Sequence, residues 1–426
     1  MACPPISGLL PEVGERSWVN SSGPTRWHYE RTMLGRRLSI LCVGINHLLL
    51  LCSACTPPPI TPCNPYYSAA ARSSAFPNFD ATTGTLNGDL PITTNKEWTD
   101  YFCVEHVIGN LSVSGNSSFQ AGLLLRLQSV TGNVSLDYNL HNASPATGTD
   151  PRIRKFSLPA LQLVGGGLDI KAADTGMDTS KDGASAIGLD ALTSVGGTIH
   201  LSWLIGPAYS PSGLSGLSTH NSNIEIRLHG DQSHLGMMAH LGTVQGNVTF
   251  NPGTGTVADI LPTLTAIGGT LRIEEDCSAT ILAGAKGPGW FHTLQTVGGD
   301  LTFYQTTHLG YYGMLSALQT VSGEWQLLGT KLQDFPLSPT NNLVVGGIRI
   351  EDNVRLALLS STNIQVTSNG PLVIDNNCIL PATIATQFVT QQMASGWAGT
   401  PDVHDNGAGP STCGMCSTPP VPKPAP

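Results

Sequence analysis

The chain has 426 residues, of which 12% are charged, 40% are hydrophobic and 48 are glycine. Low charge with abundant glycine argues against both a disordered chain and a charge-laced helical protein, so strands and loops should dominate. The formal net charge of −9 comes with no basic cluster. We therefore expect no nucleic-acid partner, because nothing would attract a phosphate backbone.

The first predicted element is an export signal. Residues 1–32 show neither repeats nor signal character, and we expect an upstream extension without structure before a true start at Met33. Residues 33–55 then combine two arginines, a mostly apolar run and small residues that lead to Cys55. That order is typical of a secretory signal peptide.

The end of this signal, Leu51–Cys55, resembles a bacterial lipobox. The resemblance implies that Cys55 is lipidated, and an ordinary cleaved signal without lipid is the alternative. Residues 56–85 follow as a Pro-rich tether, and residues 414–426 form a Pro-rich tail. No later stretch offers the about 18–20 apolar residues that a membrane span needs, so we expect membrane attachment by the lipid only. The predicted location is the outer surface of the cell envelope, with secretion as the alternative.

A repeat fills the middle of the chain. Its pattern, Leu-x-x-Val-x-Gly-x-apolar-x-apolar, is clearest from Leu127 to Leu136, and most steps between copies are 23–25 residues long. The alternating apolar residues predict a short strand with two inward side chains, and the glycine predicts a corner. One coil cannot bury its own apolar face, so the coils should stack into a solenoid. The eleven copies have corners at Gly109, Gly132, Gly166, Gly197, Ser222, Gly246, Gly269, Gly299, Gly323, Gly347 and Gly370. The predicted fold class is an all-β-rich parallel β-helix of about eleven coils.

The coils resemble the receptor L domain, a right-handed, leucine-rich-repeat-like solenoid that also occurs in bacterial surface proteins. The front match is Asn95–Val113, NKEWTDYFCVEHVIGNLSV, where a short helix leads to a cysteine and a strand. The rear match is the strand end Asp375–Cys378, the amphipathic stretch Pro381–Trp397 and Cys413. The resemblance covers residues 86–413 and implies short capping helices. It also implies recognition or scaffolding without catalysis or a cofactor.

Five cysteines lie near the ends of the array. In an exported protein, disulfides are expected before metal ligands. Cys63 with Cys103 would staple the front cap, and Cys378 with Cys413 or Cys416 would staple the rear cap. Cys413 and Cys416 form a single CxxC without a second pair, so the sequence predicts no metal site.

A parallel β-helix enzyme that degrades a polysaccharide is the catalytic alternative, because such enzymes place carboxylates on adjacent coils. Glu274, Glu275, Asp276, Glu351 and Asp352 occupy such positions. These positions directly follow strands, where a turn favours Asp or Asn without any catalysis. We therefore expect that the chain is not an enzyme.

Strand alternation also predicts a ligand site. One outward side chain per coil should form a ladder along the solenoid, with neighbouring strands about 4.8 Å apart. Within it we expect Asp169, His200, Glu225 and Arg272 to bind a ligand, which would be an extracellular protein, a peptide or a polysaccharide. A solvated ladder in a purely structural envelope protein is the alternative. We also expect inserted loops near residues 142–151, 172–184 and 279–290. They would either border this face or extend from another face of the solenoid. The members of the ladder are Asp169, His200, Glu225, Thr249, Arg272, Thr302, Gln326 and Arg349.

Overall fold

The described residues belong to one unit of the chain, Pro65–Pro426. The upstream extension, the signal and the tail fall outside them, and so do Cys55, Cys63, Cys413 and Cys416. The tether is described only from residue 78, and a strand at Phe79–Asp80 lies within its predicted bounds. The computed structural model describes residues 78–93, 101, 103–116, 124–139, 156–173, 187–204, 214–228, 238–251, 261–274, 291–306, 315–332, 342–359, 364–367 and 369–407.

Twenty-six strands and one helix are defined in these residues. The strands are β1 Phe79–Asp80, β2 Thr85–Asn87, β3 Leu90–Ile92, β4 His106–Ile108, β5 Leu111–Asn116, β6 Ser129–Val130, β7 Val134–Asn139, β8 Phe156–Ser157, β9 Leu163–Val164, β10 Leu168–Ala173, β11 Ile187–Gly188, β12 Ser194–Val195, β13 Ile199–Leu204, β14 Thr219–His220, β15 Ile224–Leu228, β16 Thr243–Val244, β17 Val248–Asn251, β18 Ala266–Ile267, β19 Leu271–Glu274, β20 Thr296–Val297, β21 Leu301–Tyr304, β22 Thr320–Leu328, β23 Leu343–Glu351, β24 Ile364–Val366, β25 Leu372–Asp375 and β26 Asp402–His404. The helix is α1, Ala382–Ala394.

Two series of parallel pairings run along the coils. Sheet 1 consists of β3, β5, β7, β10, β13, β15, β17, β19, β21, the later parts of β22 and β23, β25 and β26. Sheet 2 consists of shorter strands in two runs, with no pairing defined between β12 and β14. The first run is β2, β4, β6, β9 and β12, and the second is β14, β16, β18, β20, the early parts of β22 and β23, and β24. The predicted fold class, an all-β-rich parallel solenoid, is confirmed.

Sheet 1 holds two more coils than the eleven that the repeat identified. The first of them, β3, keeps the alternation, with Leu90 and Ile92 buried and Pro91 exposed between them. Proline donates no N–H, so it is tolerated in a strand that is paired on one side, and the described pairing of β3 is with β5 alone. The second, β26, follows α1 and has a single apolar residue, Val403.

Each middle coil points five side chains inward. In one coil these are Leu158, Leu161, Val164, Leu168 and Ile170, none more than 2% exposed. The first two come from a turn, the third from sheet 2 and the last two from sheet 1. Burial of one such side chain contributes about 1.5–3 kcal/mol, so stacked coils form one continuous core.

The corner between the two sheets explains the repeated glycine. A Cβ on the corner residue Gly132 would collide with the carbonyl oxygen of Gly109 in the preceding coil. A Cβ on Gly298, the residue before the corner residue Gly299, would collide with the carbonyl oxygen of Gly268 in the same way. Most corners therefore require glycine because the coils approach each other closely there, and Ser222 occupies the one corner without it.

Helix α1 closes the rear end of the core, as the amphipathic stretch predicted. It buries Phe388 and Val389, and its Gln392 binds the last strand of sheet 2. The Gln392 side chain donates to the Ile364 carbonyl oxygen at 3.1 Å and accepts from the Val366 N–H at 3.2 Å. Trp397 donates its indole N–H to the Gly370 carbonyl oxygen at 2.8 Å. No helix in the described part of the chain is long and apolar enough to span a bilayer.

Candidate functional site

The predicted outward ladder exists in the strand register. Each member lies opposite the next one along the coils, and each is flanked within its strand by buried residues. We call this set of side chains the sheet-1 ladder. Its pairs are Asp169 with His200, His200 with Glu225, Glu225 with Thr249, Thr249 with Arg272, Arg272 with Thr302, Thr302 with Gln326 and Gln326 with Arg349.

His200 lies between two carboxylates, as the sequence predicted. Its Nδ1 is 3.0 Å from Asp169 Oδ1, and its Nε2 is 3.9 Å from Glu225 Oε1. Two cations that sequence reasoning missed flank this group. Lys171 Nζ lies 3.4 Å from Asp169 Oδ2, and Arg227 Nη2 lies 2.6 Å from Glu225 Oε1. These five residues form the His200 cluster, in which Lys171 and Arg227 balance the charges of Asp169 and Glu225.

The signal for the two missed cations was present in the sequence. Lys171 and Arg227 each follow a ladder carboxylate by two residues, and strand alternation places such residues on the same face. The side chains of Asp169, His200 and Glu225 are each about one third exposed. Their polar atoms are therefore held by neighbours and still reachable from solvent.

Arg272 forms a second cluster two coils further along. Its Nε donates to Glu274 Oε2 at 2.8 Å. Its guanidinium carbon lies 4.3 Å from the centre of the Tyr304 ring. A cation over an aromatic face gains about 0.5–1 kcal/mol at an exposed site, which holds both side chains in place.

A third cluster surrounds Arg349. Its Nε donates to Glu324 Oε2 at 2.9 Å, and its Nη1 donates to Glu351 Oε1 at 2.8 Å. The hydrogen bond to Glu324, together with the charges of both carboxylates, raises the pKa of Arg349 above its usual value. Gln326 joins the cluster by donating to Glu324 Oε2 at 3.0 Å and by accepting from the Thr302 hydroxyl at 3.0 Å.

The carboxylates of the enzymatic alternative occupy two kinds of place. Glu274 and Glu351 lie on the face of sheet 1, and each is bound by an arginine of its own strand. Asp352 has a left-handed backbone, with φ 59°, and accepts a hydrogen bond from Asn376 Nδ2 at 2.6 Å. Asp352 is therefore a turn residue, as the sequence predicted. Glu275 and Asp276 fall outside the described residues.

Behind that turn is a buried polar ladder that sequence reasoning missed. It consists of Thr330, Asn353, Asn377 and Asn406, one per coil, and the first three are fully buried. Each asparagine Oδ1 accepts from the backbone N–H of the ladder residue in the preceding coil, at 2.9–3.3 Å. Each asparagine Nδ2 donates to a strand carbonyl oxygen of sheet 1. This ladder satisfies the corner backbone and is structural.

One core position carries a titratable group. His220 in β14 occupies the inward place that valine fills in neighbouring coils, and it is 2% exposed. Its Nε2 lies 3.2 Å from the Asn223 carbonyl oxygen, and its Nδ1 has no hydrogen-bond partner among the residues that the structure describes. Burial lowers the pKa of His220, which keeps the ring neutral.

Loop segments of the chain adjoin sheet 1. In coils from β5 to β22, every break in the described chain follows a sheet-1 strand and precedes the next turn. The predicted wide insertions near residues 142–151, 172–184 and 279–290 belong to these breaks, and only Ala172 and Ala173 of them are described. Whatever these segments contribute therefore enters from the carboxyl ends of the sheet-1 strands.

The cysteines are placed only in part. Cys103 and Cys378 are buried at opposite ends of the array, and neither is a free thiol. Their candidate partners Cys63, Cys413 and Cys416 lie outside the described residues, so the two staples stay predictions. Among the described residues, no group of three or more His, Cys, Asp or Glu side chains is arranged to hold a metal ion.

No family model, no curated protein and no solved structure matches the chain. The likeness to receptor L domains is therefore a prediction that rests on the motifs at the two ends of the array.

Proposed function

We propose that this chain is an exported, lipid-anchored surface protein that recognises an extracellular protein, peptide or polysaccharide through the outer face of sheet 1. The observation that carries the proposal is the unbroken register of the sheet-1 ladder from Asp169 to Arg349. It places one side chain per coil on a common line, at steps of about 4.8 Å.

The side chains of this face are ordered before any ligand arrives. The His200 cluster, Arg272 and Arg349 are each held by ion pairs at 2.6–3.9 Å. Ordering a long side chain on binding costs about 0.5–1.5 kcal/mol, so a face that is already ordered avoids this cost. A structural spacer would need the buried core but gains little from exposed ion pairs, which contribute about 0–1 kcal/mol each.

The position of the face also supports recognition. The side chains of Asp169, His200 and Glu225 are about one third exposed, so a ligand that lies across the ladder can reach their polar atoms. The export signal, the lipid on Cys55 and the disulfide staples complete the proposal, because they would display this face outside the cell and stabilise it there.

Screening of the purified chain against glycan and cell-surface protein arrays tests the proposal. After a ligand is found, Asp169→Lys, Glu225→Lys and Arg272→Glu should weaken binding and leave thermal unfolding nearly unchanged. Asp190→Lys is the matched control, because it reverses an exposed charge in a turn away from sheet 1. Unaltered affinity in all three variants would move the site from the strands to the loops. Hydrolysis of an arrayed polysaccharide would instead favour the enzymatic alternative.

A further inference from the structure

The outer face of sheet 2 differs in chemistry from that of sheet 1. In the coils from β2 to β22 its first strand residue points outward, and in most of these coils that residue is serine or threonine. We call five of these residues the hydroxyl ladder. Parallel register joins Thr219 to Thr243, and Thr296 to Thr320, with Ala266 between the two pairs. The hydroxyl ladder consists of Ser194, Thr219, Thr243, Thr296 and Thr320, all exposed or half-buried.

This face carries no formal charge over nine coils. From β6 to the early part of β23, no Asp, Glu, Lys or Arg occurs in a sheet-2 strand or at the residue before it. The residues before the strands are mostly glutamine, threonine and serine. Sheet 1, in contrast, has charged side chains in most of its coils, so the two faces of one solenoid are chemically different.

The hydroxyls of this ladder make no side-chain hydrogen bond to other residues that the structure describes. In the neighbouring turns, Thr193, Thr265 and Thr293 donate to carbonyl oxygens of the preceding coil at 3.0–3.1 Å. Within the described residues, the side chains of the hydroxyl ladder make no such hydrogen bond. Their donors and acceptors are therefore available to a ligand.

The face is also rigid and open. The residues behind the hydroxyl ladder, such as Val195, Val244 and Val297, are at most 5% exposed. The chain is described without a break from each strand of sheet 2, through the corner, to the following strand of sheet 1 in coils from β6 to β22. No loop insertion therefore interrupts this side of the coils.

We propose that the hydroxyl ladder is a docking surface for a neutral, linear polysaccharide. A face without charge offers no counter-charge to an anionic glycan, a nucleic acid or a phospholipid headgroup. A protein partner would need an apolar centre, but the exposed apolar residues of this face, Leu163 and Val344, lie several coils apart. A neutral glycan offers repeated hydroxyls to hydroxyls and amides that recur at every coil, about 4.8 Å apart. This surface is distinct from the sheet-1 face and does not depend on it.

Binding of the full chain to insoluble chitin, to a neutral β-glucan and to anionic polygalacturonate tests this inference. The variant Thr219→Val/Thr243→Val/Thr296→Val removes three hydroxyls while keeping side-chain shape and a good strand former. Loss of three hydrogen bonds should weaken binding to a neutral glycan by about tenfold or more. The matched variant with serine at the same three positions should retain binding.

The variant Asp402→Lys is the charge control, because Asp402 lies exposed in β26, outside both ladders, and it should leave binding of the neutral glycan unchanged. Circular dichroism and thermal unfolding of the valine variant establish that it folds. Absence of binding to both neutral glycans, tighter binding to polygalacturonate, or equal affinity of the valine and wild-type proteins would each overturn the inference.

Discussion

Replacing Asn353 with alanine removes four side-chain hydrogen bonds from a corner that water does not reach. Asn353 Oδ1 accepts from the Thr330 N–H at 2.9 Å and from the Thr330 hydroxyl at 2.5 Å. Its Nδ2 donates to the Leu327 carbonyl oxygen at 3.1 Å and to Asn377 Oδ1 at 2.8 Å. The change would leave at least two buried groups without partners. At about 1–3 kcal/mol for each such group, we expect a loss of about 3–5 kcal/mol in the free energy of unfolding.

Asn223→Ala is the matched control for this prediction. Asn223 Oδ1 also accepts from a backbone N–H of the next coil, that of Asn247 at 2.8 Å, but its corner is exposed. Water can replace that bond, so the control should lose no more than about 1 kcal/mol. Denaturant unfolding of both variants, followed by circular dichroism, measures the difference. Equal losses in the two variants would refute the argument that burial of the rear ladder determines its importance.

Three further changes test other parts of the account. His220→Val should reduce the dependence of stability on pH. In the unfolded chain the histidine gains a proton below pH about 6.5, whereas burial lowers its pKa in the folded protein. The wild-type protein therefore loses stability as the pH falls. Unfolding at pH 7.5 and 5.5 measures this, and an unchanged slope in the variant would contradict it. Gly298→Ala should destabilise the chain by at least about 1 kcal/mol, because its Cβ meets the Gly268 carbonyl; a stability equal to wild type would show that the corner can open. Cys55→Ser should abolish labelling by a fatty-acid probe, and equal labelling of both proteins would exclude the anchor.

The stacking of coils was predictable because two strong local signals coincide in every copy. Alternating apolar residues define the inward face of each strand, and glycine marks a corner where coils touch. The same alternation placed His200 between Asp169 and Glu225. The coil of β3 was missed although Leu90 and Ile92 alternate there as in the other copies and the strand pairs with β5.

The ion pairs of the face were harder to predict than its register. Arg349 binds Glu324, which lies in the preceding coil after a register shift between Val321 and Glu324. Such a bulge changes which side chains lie next to each other in adjacent coils, and the local sequence pattern does not predict it. The buried ladder was missed for another reason. Asn353 and Asn377 each follow a residue with positive φ, and asparagine is common in such turns. The sequence pattern therefore gave no sign that both side chains are buried and hydrogen-bonded.

The central claim is that the charged outer face of sheet 1 recognises a ligand. Exchanging the charges within one pair, as Glu225→Arg with Arg227→Glu, tests it most directly, because net charge and the ion pair itself are preserved. The account predicts wild-type thermal stability together with an affinity about tenfold weaker for the ligand found on the arrays. Wild-type affinity in this double variant would contradict the claim that the order of charges along sheet 1 is what the ligand recognises.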